Sequence, residues 1–493
     1  MNERTEISTA RPPGDTTDRR PELWLWLFFL ISLVLINPWV RGDGVGYYAY
    51  LRAPIIGHNL DFEPDYRSAN ASFSGPRLDE NGNVKAGLRT PTGHLENHFT
   101  VGPAILWSPF FLVAHAGVLI ARALGSQIPA DGFSSPYRTA VAFASALYGF
   151  LGLLLAFRLA RQYVAVWCAF LATLAVWSAT SLPVYMYFNP SWSHAISAFV
   201  VAVFVYFWHA TRSNRTTAQW LLLGVITGLM LDVYYPNALV LMVLAIEALR
   251  QYAAAFRRSE NSGPNIVRLL TNHALFAATA VICFLPTFIV HHIIYGNSLE
   301  SGYIPLRQWL WRSPVLLQVL FSTNHGLLAW TPVILLSMVG LLLFWGREPI
   351  VGGSFLAAAI AFYLFIACYP DWAGISSYGN RFFVSLTMLF VIGLAVFLDA
   401  IATRFANRSA AIITASIVLA AFTLWNAGLV FQWGSHLVPA RGPISFPTMI
   451  HNQFFVVPRQ VAGKLEIYLF RRGKLMQQIE EGDIQQMKQQ PAQ

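Results

Sequence analysis

Residues 23–54 read LWLWLFFLISLVLINPWVRGDGVGYYAYLRAP, and this stretch decides the fold class. Residues 23–40 are bulky, apolar and free of ionisable side chains. That run matches the roughly 20 apolar residues a helix needs to cross a bilayer. It is longer and bulkier than a signal-peptide core and has no small-residue cleavage site, so it predicts a retained signal anchor. The preceding residues 1–22 are polar and carry Arg4, Arg11, Arg19 and Arg20, which predicts a cytoplasmic tail. Directly after the apolar run a lone carboxylate, Asp43, stands among Gly42, Gly44 and Gly46.

The rest of the chain repeats this alternation. Of 493 residues, 55% are hydrophobic and only 12% charged. A soluble domain carries about 25% charge, so a soluble globule is excluded, as are disorder and a disulfide scaffold. The net charge of +9 comes largely from Arg at the ends of apolar runs. Arg placed there orients helices and meets lipid headgroups, which points to the bilayer as partner and away from nucleic acid. Cys168, Cys283 and Cys368 show no CxxC spacing and define no disulfide or metal framework.

Apolar segments near 138–157, 163–184, 193–211, 272–295, 326–346, 353–370, 381–401 and 409–434 are each long enough to span. The stretch 218–248 is interrupted by Asp232, Tyr234, Tyr235 and Pro236, which predicts two short helices with a broken tip. The expected fold is an all-α polytopic membrane protein with about 11 transmembrane helices. Arg212 and Arg215, the 249–268 loop with Arg250, Arg257, Arg258 and Arg268, then Arg347, Arg404 and Arg408, mark cytoplasmic turns.

Arg158 and Arg161 join that side only if the apolar run 103–123 does not cross. The run is therefore read as a re-entrant or juxtamembrane helix on the outer side, the alternative being a crossing helix whose neighbouring Arg pair breaks the charge bias. The chain then divides into a cytoplasmic tail, 1–22, a transmembrane domain, 23–434, with a long first outer loop, 41–137, and an outer-face tail, 435–493. Within the tail, FRRGKLMQQIEEGDIQQMKQQ predicts a polar amphipathic helix, although Arg471, Arg472 and Lys474 run against the charge bias.

The polar residues left over gather on the outer side. Asp43, flanked by glycines, is either a carboxylate that a substrate can approach closely or a solvated helix-end Asp beside Arg41 and Arg52. Tyr47, Tyr48 and Tyr50 read as interface-belt aromatics, as do Tyr185, Tyr187 and Trp192, which with Asn189 and His194 also suit sugar stacking. In HLENHFTVGP, His94, Glu96, Asn97 and His98 lack the spacing of a zincin and read as a cavity lining or a solvated loop. No ligand motif supports a divalent metal. Lys85 and Arg89 lie in a polar loop and are candidates to meet phosphate. QVLFSTNHGLLAWTP places Ser322, Thr323, Asn324 and His325 at the mouth of a span, and YPDWAGISSYGNRFF carries Asp371, Trp372, Ser376, Ser377, Tyr378, Asn380 and Arg381. Arg381 opens a span on the outer side against the charge bias, as a bidentate phosphate clamp would or as simple snorkelling would.

These features resemble the GT-C superfamily of membrane glycosyltransferases, in particular the group of protein O-mannosyltransferases, aminoarabinose transferases and rhizobial lipopolysaccharide galacturonosyltransferases. The residues that carry the resemblance are Asp43 in RGDGVGYYAYLRA, the Pro-bearing VGPAILWSPFFLVAH, and the segments FSTNHGLLAWTPV and SSYGNRFF. The family often has a two-acid motif at the first position, whereas here Asp43 precedes Gly44, leaving Glu96 as the nearest second acid.

The resemblance implies juxtamembrane helices in the first outer loop and inverting transfer of a sugar from a polyprenyl-phosphate donor. The acceptor is a hydroxyl on a cell-envelope lipid, glycan or protein at the periplasmic face of a bacterial inner membrane. Asp43 is the implied general base. Glu96, Asn97, His98, Lys85, Arg89, Asn324, His325, Tyr378 and Arg381 are the implied substrate-binding residues. A flippase or transporter for lipid-linked sugars is the competing reading, and it predicts ionisable residues at midplane on several spans, where Asp232 and Glu247 stand almost alone.

Overall fold

The computed structural model describes residues 19–257 and 262–489. Most of the tail 1–22, and Arg258 of the basic loop, lie outside the described residues. Among the described residues the chain is built from helices, with two isolated β-bridges, Leu78–Val84 and Arg89–Leu95, in the first long loop. Eight helices among the described residues are long and apolar enough to cross a membrane, and three shorter apolar helices accompany them. The chain is a multi-pass membrane protein.

The helices that position the site are α1 (Arg20–Ser32), α2 (Asp43–Arg52), α3 (Gly102–Ala123), α4 (Ser135–Ala160), α5 (Val166–Ser178), α6 (His194–Thr211) and α7 (Thr217–Val233). They are followed by α8 (Met242–Arg257), α9 (Ser262–Tyr295), α10 (Val333–Arg347), α11 (Pro349–Cys368), α12 (Thr387–Ala402) and α13 (Arg408–Gly434). Two tail helices, α14 (Val457–Phe470) and α15 (Arg472–Gln489), complete the chain's described part.

Several spans are shorter than their apolar runs, for local reasons. The first leaves the α-helix at Ser32 and reaches Leu35 through a 3₁₀ turn, because Pro38 pushes the residue before it out of helical geometry. The 163–184 run gives only α5, because the chain bends at Ala179 and restarts as a π-turn at Val184 after Pro183. The 218–248 run breaks at Tyr234, whose extended backbone precedes the 3₁₀ turn Tyr235–Leu241. There Pro236 cannot supply the amide hydrogen a continuing helix needs.

Helix α12 and the 3₁₀ turn before it, Arg381–Leu386, form the centre of the bundle with α4 and α6, while α9 and α13 lie on the rim. A helix apolar on all sides, such as TMLFVIGLAVFLDAIA, suits that central place. It meets α10 at Gly340 and Gly393. A Cβ on Gly340 would come within 1.7 Å of the Gly393 carbonyl oxygen. Small residues of this kind let helices in lipid touch backbone to backbone. Gly340→Ala should therefore lower the thermal midpoint in detergent, at a cost of about 1–3 kcal/mol from overpacking. Gly346→Ala, on the same helix with no atom within 4 Å, should not.

The two ends of the bundle differ in chemistry. At one end Glu22 pairs with Arg158, Arg215 with Glu247 (3.1 Å) and Arg347 with Asp399 (2.8 Å), and Tyr163 touches both His209 and Phe344. The opposite end holds Asp43, Arg381 and the long loops. Helix α3 runs antiparallel to α4, with Trp107 Nε1 donating to Ser145 (2.8 Å) and His115 facing the Tyr137 hydroxyl (2.8 Å). Its first residue, Gly102, presses on the backbone of Asp232 at the end of α7 remote from Arg215. Tyr137, beside its second half, opens α4 at the end remote from Arg158.

Candidate active site

The site is built where α2, the turn 189–194 and the loop 371–380 converge. Asp43 opens α2, and its carboxylate Oδ2 lies 2.9 Å from Arg381 Nη1. A carboxylate in the first turn is also favoured by the positive end of the helix dipole. Arg381 is 8% exposed, and its guanidinium lies 4.5 Å over the Trp192 ring and 5.5 Å over that of Phe382. The carboxylate contact has ion-pair distance without hydrogen-bond alignment, so Nε and Nη1 have no hydrogen-bond acceptor. Nearby Asn189 Nδ2, Ser191 Oγ, His194 Nδ1 and Asn380 Oδ1 are likewise buried without partners. Unpaired buried polar groups each cost about 1–3 kcal/mol, so a concentration of them marks a place shaped for something polar.

The three glycines around Asp43 turn out to serve close packing. Gly42 adopts φ +56° against Trp192, Gly44 leaves no room for a Cβ beside Ser191, and Gly46 none beside Phe99 and Asn97. Trp192 Nε1 donates to the Arg41 carbonyl at 2.9 Å. The tyrosines read as interface aromatics are interior. Tyr47, Tyr48 and Tyr50 are all buried, because α2 lies inside the protein instead of at a lipid boundary. Ser193 donates to the Tyr47 hydroxyl (2.9 Å), and Tyr50 donates to the Asn97 carbonyl (2.6 Å). Tyr185 and Tyr187, in the π-turn Val184–Phe188, and Trp192 after it are buried as well.

The structure brings some of the expected site residues together and leaves others apart. His98 lies on the Asp43 side, packed on Phe99 (4.1 Å) and Tyr303 (4.7 Å). Burial holds its imidazole below the usual histidine range, opposed chiefly by the charge of Asp43. Asn97 is a strut, with its side-chain amide donating to the Gly46 carbonyl at 2.9 Å. Glu96 is exposed, and only its backbone is engaged, accepting from Tyr66 and donating to Leu88. Lys85 donates to the Pro76 carbonyl and Arg89 pairs with Glu63, both exposed, and neither contacts the Asp43–Arg381 pair. Asn324 shapes a turn through its backbone amide and Ser322. His325 packs on Trp330 and faces Ser377 (3.1 Å), and the Tyr378 hydroxyl donates to Asn426 Oδ1 (2.6 Å). Both support the 371–380 loop from beneath.

Two residues that border the pair escape a sequence-only assignment. Trp192 supplies the ring under Arg381. Asp371 is the second carboxylate whose charge acts on Arg381, and burial raises its carboxyl above the usual range, against the pull of Arg381. A position ten residues before an outward Arg was the available signal for Asp371, but only folding of Gly374 (φ +65°) and Gly379 (φ +53°) returns the chain to it. Among the described residues no group of three His, Cys, Asp or Glu side chains has the arrangement of a metal site.

His325 gives a pH prediction. Burial, then the charge of Arg381, pushes its imidazole down to about 4. Below pH 6.5 the unfolded chain takes up a proton that the folded state refuses, so stability falls as pH drops from 6.5 towards 4. The loss amounts to about 3 kcal/mol. Unfolding midpoints in detergent at pH 7 and pH 4.5 should show it, with a smaller pH dependence in His325→Asn.

No protein-family model matches the chain, and no curated protein matches it by sequence. Among solved structures, it is similar to the oligosaccharyltransferase of Archaeoglobus fulgidus in complex with Zn and sulfate, at 15% identity and TM-score 0.48, over 86% of this chain and 58% of that one. It is similar to AglB of the same organism in complex with an inhibitory peptide and a dolichol-phosphate, at 14% identity and TM-score 0.49, over 87% and 61%. ArnT from Cupriavidus metallidurans in the apo state is similar at 15% identity and TM-score 0.47, over 88% and 74%. The match spans less than two thirds of either oligosaccharyltransferase chain.

Proposed function

We propose that this chain is a GT-C-type membrane glycosyltransferase that moves a sugar, with inversion, from a polyprenyl-phosphate donor to an acceptor hydroxyl. The observation that carries the reading is the Asp43–Arg381 pair, a carboxylate beside a buried guanidinium with two donor nitrogens lacking acceptors. A phosphate accepts from either nitrogen, each of which forms one edge of the planar fork together with Nη2, and competes with Asp43 for the charge. The carboxylate then accepts the acceptor's proton as its oxygen bonds to the anomeric carbon. The bond from that carbon to the phosphate oxygen breaks, and polyprenyl phosphate leaves. Burial of His98, which lies within electrostatic reach of the carboxylate, disfavours a competing positive charge there.

In this reading the site faces the periplasm of a bacterial inner membrane, the N-terminus is cytoplasmic, and about 11 helices span. Segment 103–123 stays on the outer side. Support comes from the contacts of α3, whose first residue lies beside the site-facing end of α7 and whose second half lies beside that of α4. The tail from 435 belongs to the outer face too. Helix α15 reaches the first outer loop through Glu480, on Asn70 and Ser72, and Arg472 bonds the carbonyls of Val34 and Ile36. That use of Arg472 accounts for one cation of a basic cluster on the unexpected side.

Purified protein incubated with radiolabelled polyprenyl-phosphate sugars and an envelope lipid extract should pass label to an acceptor. Tracer that crosses liposomes with no covalent transfer would establish a flippase in its place.

A further inference from the structure

A groove of about 1050 Å³ runs between α1, α5, α13 and α14. It is at the upper end of the size range of small-molecule pockets. Phe28, Leu171, Leu174, Trp177, Leu419 and Leu465 line it. At its rim Ile31 and Leu424 are exposed apolar residues on helices that face lipid, so a hydrocarbon chain can enter sideways from the bilayer.

The other end of the groove is polar, with Asn37, Arg41, Asn189, Ser376, Asp483 and Gln486. Three of these adjoin the active site. The Arg41 carbonyl accepts from Trp192, Asn189 Nδ2 has no partner, and Ser376 precedes Ser377 in the loop against Arg381. Of the charged residues in the lining, Arg41 and Asp483 are matched to each other at this end, and Lys464 lies on α14 beside the apolar Leu465. Asp483 takes Arg41 at 3.3 Å and His436 at 2.8 Å. An end with Arg41 and Asp483 paired, an unpartnered Asn189 amide and the Ser376 hydroxyl suits a neutral, hydroxyl-rich head, whereas a phosphate finds its donors at Arg381.

We infer that the acceptor is a membrane lipid, whose hydrocarbon chain lies in this groove and whose neutral hydroxylated head reaches Asp43 past Asn189 and Ser376. The inference rests on the transferase reading for the role of acceptor, and on the groove alone for the lipid. In the transfer the head's hydroxyl oxygen bonds to the anomeric carbon, its proton goes to Asp43, and polyprenyl phosphate departs.

Full-length protein in liposomes should be irradiated with either a diazirine-bearing monoglycosyl diacylglycerol or a diazirine-bearing polyprenyl phosphate, and the labelled residues mapped by mass spectrometry. The glycolipid should label Leu174, Leu419 and Leu465. Ala427→Trp, which fills the groove from α13, should cut that labelling about tenfold, a loss of roughly 1.4 kcal/mol in affinity. Polyprenyl phosphate labelling elsewhere should be unchanged. Labelling of the groove by polyprenyl phosphate in place of the glycolipid, or by neither probe, overturns the inference. Because labelling needs no turnover, glycolipid capture by a protein that transfers no sugar supports the groove and counts against the transferase reading alone.

Discussion

Asp43→Asn is expected to lower sugar transfer by about 10²–10⁴-fold, the usual contribution of a positioned general base. The substitution keeps the size and shape of the side chain and removes only its ability to take a proton. It also removes the partner of a buried guanidinium, which destabilises the site, so folding must be read separately. Elution from size exclusion in detergent and retention of polyprenyl-phosphate binding serve that purpose. Asp43→Glu provides the second arm: it restores a base but displaces it by one methylene from Arg381, and it should recover part of the activity. Transfer at the wild-type rate by a well-folded Asp43→Asn protein would remove Asp43 from the mechanism.

Arg381→Lys should cost about 10²–10³-fold in kcat, comparable with the loss of one donor that stabilises developing negative charge. Lysine keeps the charge and loses the planar fork, so it cannot bond phosphate through two parallel nitrogens. It also loses the stacking on Trp192 seen at 4.5 Å. The readout that separates this role from simple support is the competition of inorganic pyrophosphate with the donor. Pyrophosphate should inhibit wild type and inhibit Arg381→Lys far more weakly. Equal inhibition of the two proteins would place the phosphate elsewhere. Trp192→Leu, which removes the ring and leaves the guanidinium in place, should produce a smaller loss of the same kind.

The residues that failed to be legible share a cause. Tyr47, Tyr48 and Tyr50 lie near a predicted span end, where tyrosine ordinarily marks a lipid interface, yet α2 turns inward and buries all three. The glycines beside Asp43 suggest an accessible backbone, and the fold uses them to admit Trp192, Ser191 and Phe99. Lys85 and Arg89 have the right charge for a phosphate, but Pro76 and Glu63 engage them. In each case a residue's type is a local property and its partner is a distant one.

The apolar runs, the scarcity of charge and the Arg-marked turns determined by themselves that the chain is a helical multi-pass protein and that its uncommitted polar residues collect at one end. They did so because lipid leaves a backbone few options and penalises stray charge heavily, so such constraints are written along the chain. Asp43 and Arg381 could each be singled out for running against those constraints. That they meet at 2.9 Å, that Trp192 and Asp371 join them while Glu96 does not, and that a groove beside α1 opens next to them were decided only by tertiary structure. Those facts depend on glycines and turns hundreds of residues apart, packed together by shape, and no local pattern encodes a contact of that kind.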